Sequence, residues 1–256
     1  MDRTDIGLWG LAASGILVAV ALGMSIWRRL GVERSLVWAC VRALVQLLLV
    51  GWALQLIVDD DDPLVFSFAW LVVMIGFAGY TTWRRAHDVP AVLPLSLVAY
   101  SASALVTLGV LFGFDVYELE GRTIVPLAGM VVGNSLSATV LVSRRLFESA
   151  KDHRAEIEGR LALGLSAADA FRPDLRESLR TALVPQIEST KAVGIVFLPG
   201  AMVGLILAGV DPGDAVRVQV SVMYLVLGSV ATTTAVMSLG ISRQLFTSAQ
   251  QLRRFV

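Results

Sequence analysis

The sequence predicts an all-α integral membrane protein. Seven transmembrane helices run with the N-terminus outside and the C-terminus cytoplasmic, and an amphipathic cytoplasmic helical hairpin lies between spans five and six. Three observations predict this. Hydrophobic residues make up 56% of the chain and mean hydropathy is +0.72, above the roughly 45–50% apolar content of soluble domains. The excess is gathered into runs of about twenty, the length that crosses a bilayer. Lys and Arg collect in alternate connections, as cytoplasmic loops do. Finally, residues 144–191 hold nine Lys/Arg and eight Asp/Glu, a density that no bilayer core accepts.

Segment one is about Ile6–Trp27, stopped by Arg28, Arg29 and Arg34. Its N-terminal flank is not basic and no small-residue cleavage site follows, so it is expected to stay in the membrane as a helix. Segment two, about Ser35–Val58, ends at Asp59–Asp62. Segment three, about Leu64–Trp83, ends at Arg84-Arg85, and segment four, about Val89–Phe114, has Pro90 and Pro94 in its first turns. Segment five is about Ile124–Ser143, segment six about Ala192–Val210 and segment seven about Ala215–Ile241. With the N-terminus outside, the inner connections and tail carry three, two, nine and three Lys/Arg. The chain 1–256 then reads as a single permease domain with the 144–191 segment embedded in it.

Within 144–191 an apolar face recurs at Leu146, Ala150, Ile157, Leu161 and Leu165, at helical spacing. Arg154/Glu158 and Glu156/Arg160 are charge pairs four apart, which support a helix. A second run repeats Leu175, Leu179 and Leu183, with Arg172, Arg176, Glu177 and Arg180 between them. Two amphipathic helices are expected, bounded by Phe171-Arg172-Pro173 and by Pro185. Such an element rests on an anionic membrane surface or docks a soluble partner.

Inside the spans, two starts are alike. Segment five has Pro126, Gly129 and Gly133, followed by Asn134 and Ser135; segment six has Pro199, Gly200 and Gly204. Glycines four apart let helices approach closely, and a nearby proline permits a kink. The pattern fits a bendable pair lining a path and also ordinary helix packing. Arg42 and Gln46 lie one turn apart in segment two. Arg42 either lines a path or snorkels to the interface, about 9 Å away by helical rise. Asn134, Ser135 and Gln219 are further polar candidates for a substrate path. No ligand cluster has the spacing of a defined metal site, so a metal site stays unknown. His87 and His153 fall outside the spans. Neither G-x-S-x-G with an intramembrane His, nor H-E-x-x-H, nor a P-loop is present. An enzyme is therefore not expected, and any ATP must be bound elsewhere. The zero net charge gives no sign of a nucleic-acid partner.

Several strings resemble the FetB-like permease family of ATP-binding-cassette (ABC) transporters. They are Arg42-Ala-Leu-Val-Gln46-Leu, Pro126-Leu-Ala-Gly129-Met-Val-Val-Gly133-Asn134-Ser135, Leu161-Ala-Leu-Gly164 and Arg176-Glu-Ser-Leu-Arg180-Thr-Ala-Leu-Val-Pro185. Lys191-x-x-Gly194, Leu198-Pro199-Gly200-x-Met202-x-Gly204 and Ala208-Gly209-x-Asp211-Pro212 continue the pattern. Glu188 stands where that family more usually has aspartate. The family includes bacterial proteins assigned to iron export and plant half-transporters tied to aluminium tolerance. The resemblance implies a plasma-membrane (bacterial inner-membrane) permease that exports a metal ion such as iron or a small solute. It implies a homodimer working with a separate ABC ATPase subunit, with ATP and Mg on that partner and no cofactor on this chain. It also implies a coupling role for Glu158, Gly164, Arg172, Arg176, Glu177, Arg180 and Pro185. Glu158 and Gly164 have the spacing of the import-permease motif, although Pro185 comes later than that motif expects. The alternative is a membrane scaffold that recruits a soluble partner through 144–191.

Overall fold

A computed structural model describes residues 8–57 and 64–253. The aspartates at 59–62 and the extreme termini lie outside the described residues. The chain divides into two compact units, within residues 1–62 and 63–256. Among the described residues every extended element is a helix. The first unit pairs α1 (Leu8–Arg28) with α2 (Glu33–Ile57). At their turn the Ser25 hydroxyl donates to Glu33 at 2.6 Å.

The second unit holds α3 (Val65–Arg85), α4 (Val92–Gly113), α5 (Gly121–Asp152), α6 (Arg154–Ala162), α7 (Ala167–Ala192), α8 (Gly200–Leu207) and α9 (Pro212–Leu245). By length and composition five helices can cross a bilayer: Glu33–Gly51 within α2, then α3, α4, α5 and α9. Helix starts follow local chemistry. Glu120 and Thr123 form a capping box at α5. Asp211 caps α9, with Pro212 at its first position, where a missing N–H costs nothing.

Two hydrophobic clusters fix the directions of the helices. One joins Val92 and Ala99 of α4, Leu146 and Ala150 of α5, Ile157 of α6, Phe171 of α7, and Ile241 and Leu245 of α9. The other joins Ala104 and Leu111 of α4, Leu127 and Ala138 of α5, and Val222 and Val230 of α9. So α5 and α9 run the same way and α4 runs against them. The three meet at their midpoints: Ser229 accepts from Ser135 Oγ through its hydroxyl at 3.2 Å and from Ser103 Oγ through its carbonyl at 3.1 Å. We call this level the waist. Small hydroxyl residues allow backbones to come close there. The tightest approaches are elsewhere, where a Cβ on Gly240 would fall 2.5 Å from Leu95 and one on Gly79 2.7 Å from Leu97.

Three boundaries differ from the sequence expectation. First, α5 does not end near Ser143. It continues to Asp152, because Arg144, Arg145 and Glu148 are soluble on a helix surface and pair along it. Second, the break in 144–191 is neither at Phe171-Arg172-Pro173 nor at Pro185; both prolines lie inside α7. Besides a turn at His153 between α5 and α6, the break falls at 163–166, where Gly164 takes φ +90° and Ser166 caps α7 by accepting from the Asp169 N–H at 3.2 Å. Third, segment six is not one helix over 192–210. After α7 the chain turns at Gly194, φ +90°, and is non-helical until Pro199, the N-cap of α8. The eight residues of α8 rise about 12 Å, too short to cross alone.

Candidate substrate path and coupling elbow

At the α6 end of the second unit the chain turns twice, and one buried carboxylate holds the turns together. Asp174 accepts from Ser149 Oγ at 2.7 Å, His153 Nδ1 at 2.6 Å and Arg160 Nη1 at 3.0 Å. Arg160 also donates to the Ala170 carbonyl at 2.8 Å. Three helices thus meet on a residue only 5% exposed. The expected pairs Arg154–Glu158 (2.7 Å) and Glu156–Arg160 (3.3 Å) are both formed.

The segment after α9 folds back onto this elbow. Arg154 donates to the carbonyls of Arg253 and Leu252 at 3.0 and 3.2 Å. Phe246 meets Phe171 edge-on, with ring centroids 5.9 Å apart. The Ala167 N–H donates to Gln250 Oε1 at 2.9 Å. Between elbow and tail lies an open groove of about 950 Å³, lined by Arg154, Glu158, Gly164, Leu165 and the tail. A second groove of about 710 Å³ runs along α7 over Pro173, Arg176, Glu177, Arg180 and Pro185. The predicted coupling residues therefore fall in two sets, one on each groove. Arg172 is exposed and paired with Asp169 at 3.4 Å.

The electrostatics of the knot follow from its geometry. The hydrogen bond to Asp174 raises the His153 pKa above its ordinary 6.5, against the opposing effect of desolvation. For Asp174 burial is the largest influence and pushes upward. The bonds from His153, Ser149 and Arg160 outweigh it together and hold the carboxyl below its ordinary 3.8. The His153 contribution to stability is therefore complete below 6.5 and is lost as pH rises through the raised value. The Asp174 contribution is complete above 3.8 and is lost as pH falls through the lowered one. Thermal unfolding of the detergent-solubilised protein should show greatest elbow stability between about pH 4 and 6.5, with a decline on the alkaline side that His153→Gln removes.

The predicted path residues are not gathered together. Ser135 is buried at the waist. Asn134 is on the exposed side of α5, donating to the Met130 carbonyl at 2.8 Å. Gln219 is buried, and its Oε1 has no partner among the described residues. Arg42 and Gln46 are exposed on α2, in the first unit. Pro126 lies inside α5. A Cβ on Gly129 would meet only Met74 at 3.8 Å, and Gly133, Gly200 and Gly204 have open space around them. Among the described residues, a Cβ on these glycine strips would meet nothing but Met74. Among the described residues no group of three or more His, Cys, Asp or Glu could hold a metal. The sequence reading missed the Asp174 knot; its one trace was the four-residue spacing of Ser149 and His153.

The model of the family described as "Uncharacterised protein family (UPF0014)" matches residues 8–246. The UPF0014 membrane protein STAR2 of Oryza sativa subsp. japonica is 35% identical over 91% of this chain and 81% of its own. The UPF0014 membrane protein YjkA of Bacillus subtilis (strain 168) is 33% identical over 95% and 97%. The probable iron export permease protein FetB of Escherichia coli (strain K12) is 32% identical over 98% and 97%. No solved structure matches.

Proposed function

The chain belongs to the UPF0014 family, and from that premise we propose that this multi-pass membrane protein is the permease subunit of an ABC transporter. It moves a metal cation or small solute outward by alternating access, driven by ATP hydrolysis on a separate subunit. The observation that carries this is the match to a relative named as a probable iron export permease, over 98% of the chain. The elbow supports it. A knot of charge holds α6 and α7 in one arrangement beside two open grooves, a rigid exposed element that a soluble ATPase can push.

The proposed orientation puts the α6 end in the cytoplasm and the N-terminus outside. Arg84, Arg85, Arg144, Arg145, Arg154 and Arg243 all lie toward the α6 end, while the opposite end of the second unit holds Arg122 and Arg217 among the described residues. That is the expected bias. The working pump contains two copies of this chain and two ATPases, with ATP and Mg on the ATPases.

The test is co-purification of the tagged chain from its native membrane in mild detergent, followed by an ATPase assay. An ABC ATPase should accompany the wild type, and Arg176→Glu with Arg180→Glu should reduce it at least tenfold. Absence of an ATPase from the wild type in several detergents favours the scaffold.

A further inference from the structure

The C-terminal part of α7 climbs into the helix bundle. At its foot Asp174 accepts from Ser149, near the α6 end of α5. Leu183, farther along α7, packs against the central cluster, whose α5 members run from Leu127 to Ala138. So α7 runs antiparallel to α5, packed against both α5 and α9. Glu188 lies fourteen residues beyond Asp174, and Ser135 lies fourteen before Ser149. Each interval rises about 21 Å. Glu188 therefore stands at the height of Ser135 and Ser229, the waist.

The outer side of α7 is uncovered at this height. Lys191 Nζ meets Glu188 Oε1 at 2.9 Å, with 67% and 61% of the two side chains exposed. Val184 and Ile187 are exposed as well. At about 100° per residue, Glu188 falls roughly 40° to one side of Val184 and Lys191 roughly 20° to the other. The three form one strip, with an apolar midline and opposite charges on its two edges. Immediately beyond, the helix stops, and residues 193–199 are non-helical until α8. On that break Ile195 and Val196 are exposed to 95% and 77%.

Neither lipid nor water suits this surface. An ion pair at mid-bilayer is costly against lipid, and interrupted backbone is tolerated at that depth only against protein or water. Bare isoleucine and valine make water a poor cover. Resting on the proposal that the pump holds two copies of this chain, we infer that this strip is the face on which the copies meet, α7 against α7, about a two-fold axis along the membrane normal. The charges select a second copy as the occupant. A two-fold sets one patch against itself. For parallel helices it lays the left edge of one strip beside the right edge of the other, as with the flanking charges of a parallel coiled coil. Glu188 then lies beside the partner's Lys191, and Lys191 beside the partner's Glu188, while Val184 meets its own counterpart on the midline. The pair within each helix opens into two pairs between copies.

Two measurements on the full chain test this. In the first, differently tagged copies are co-expressed and co-purified in mild detergent. Glu188→Lys in both copies leaves only cations across the contact, and Lys191→Glu in both leaves only anions. Either should lower recovery of one tag with the other at least about tenfold, since facing like charges are strongly unfavourable. A Glu188→Lys copy beside a Lys191→Glu copy should recover to within about threefold of wild type, because every facing pair is again opposite. Each chain then carries like charges one turn apart, so pairing within α7 does not account for the rescue. In the second, native membranes carry the chain in a Cys40→Ala background, which removes the one cysteine. Copper phenanthroline should link Val184→Cys into a disulfide dimer at least about tenfold faster than Leu105→Cys, which sits on α4 near waist height and is exposed to 77%. Mixed copies no better recovered than the single variants, or linkage at 184 no faster than at 105, overturn this interface. Wild-type copies that fail to co-purify overturn it together with the two-copy reading. Retention of the ATPase is measured separately, so loss of the interface alone leaves the permease reading standing.

Discussion

Asp174→Ala is expected to open the α6–α7 elbow by about 3 kcal/mol, the low end for breaking a buried ion pair. The low end applies because Arg160 keeps Glu156 and the Ala170 carbonyl, while His153 remains half exposed. Ser149 loses its acceptor as well. By the usual conversion, the open population rises roughly a hundredfold. Trypsin cleavage at Arg154 and Arg160 reports that population directly when closing is fast. Asp174→Asn retains an acceptor without the charge and should fall between wild type and Ala. Under the proposed function, coupled ATPase activity follows the same order. Equal cleavage of wild type and Asp174→Ala would show that the knot does not hold the elbow.

Phe246→Ala is expected to cost about 3–5 kcal/mol, the range for truncating a buried aromatic. Of that, about 0.5–1.5 kcal/mol reflects the edge-on pair with Phe171. Phe246 belongs to the same hydrophobic cluster as Leu146, Ile157 and Leu252. Its loss therefore loosens the end of α5, the elbow and the tail together. The midpoint of thermal unfolding in detergent should fall by several degrees. Gln250→Ala, which removes one exposed acceptor from the Ala167 N–H, should change it little. A Phe246→Ala protein as stable as the Gln250→Ala protein would mean that the tail is not a brace.

The long helices were legible because hydropathy is a local signal. α3, α4 and α9 fall within a few residues of the apolar runs that announce them. The boundaries that differ have one cause: a local signal does not express tertiary packing. Charge at Arg144 ends a membrane run without ending a helix, so the last turns of α5 were assigned to the hairpin. Pro173 reads as a helix boundary, yet Gly164 and Ser166 are the stronger stop and start. The Asp174 knot has no linear motif, since Ser149, His153, Arg160 and Asp174 converge only once α6 and α7 fold back. Glu188 and Lys191 were counted with a cytoplasmic segment because they follow it in sequence. The packing of α7 along α5 and α9 lifts them to the waist, and no spacing of residues expresses that.

The unbroken length of α5 sets how force can travel. From Ser149 in the knot to Ser135 at the waist is one continuous helix, a stiff lever arm of about 21 Å. Tilting such an arm by about 10° carries its far end some 4 Å, enough to part the hydroxyl contacts at Ser229 without melting a turn. α7 spans the same height with Pro185 in its path, where a missing hydrogen bond eases bending. One strut is unbroken and its neighbour is jointed, so under the proposed function a push on the elbow would become shear between them at the waist.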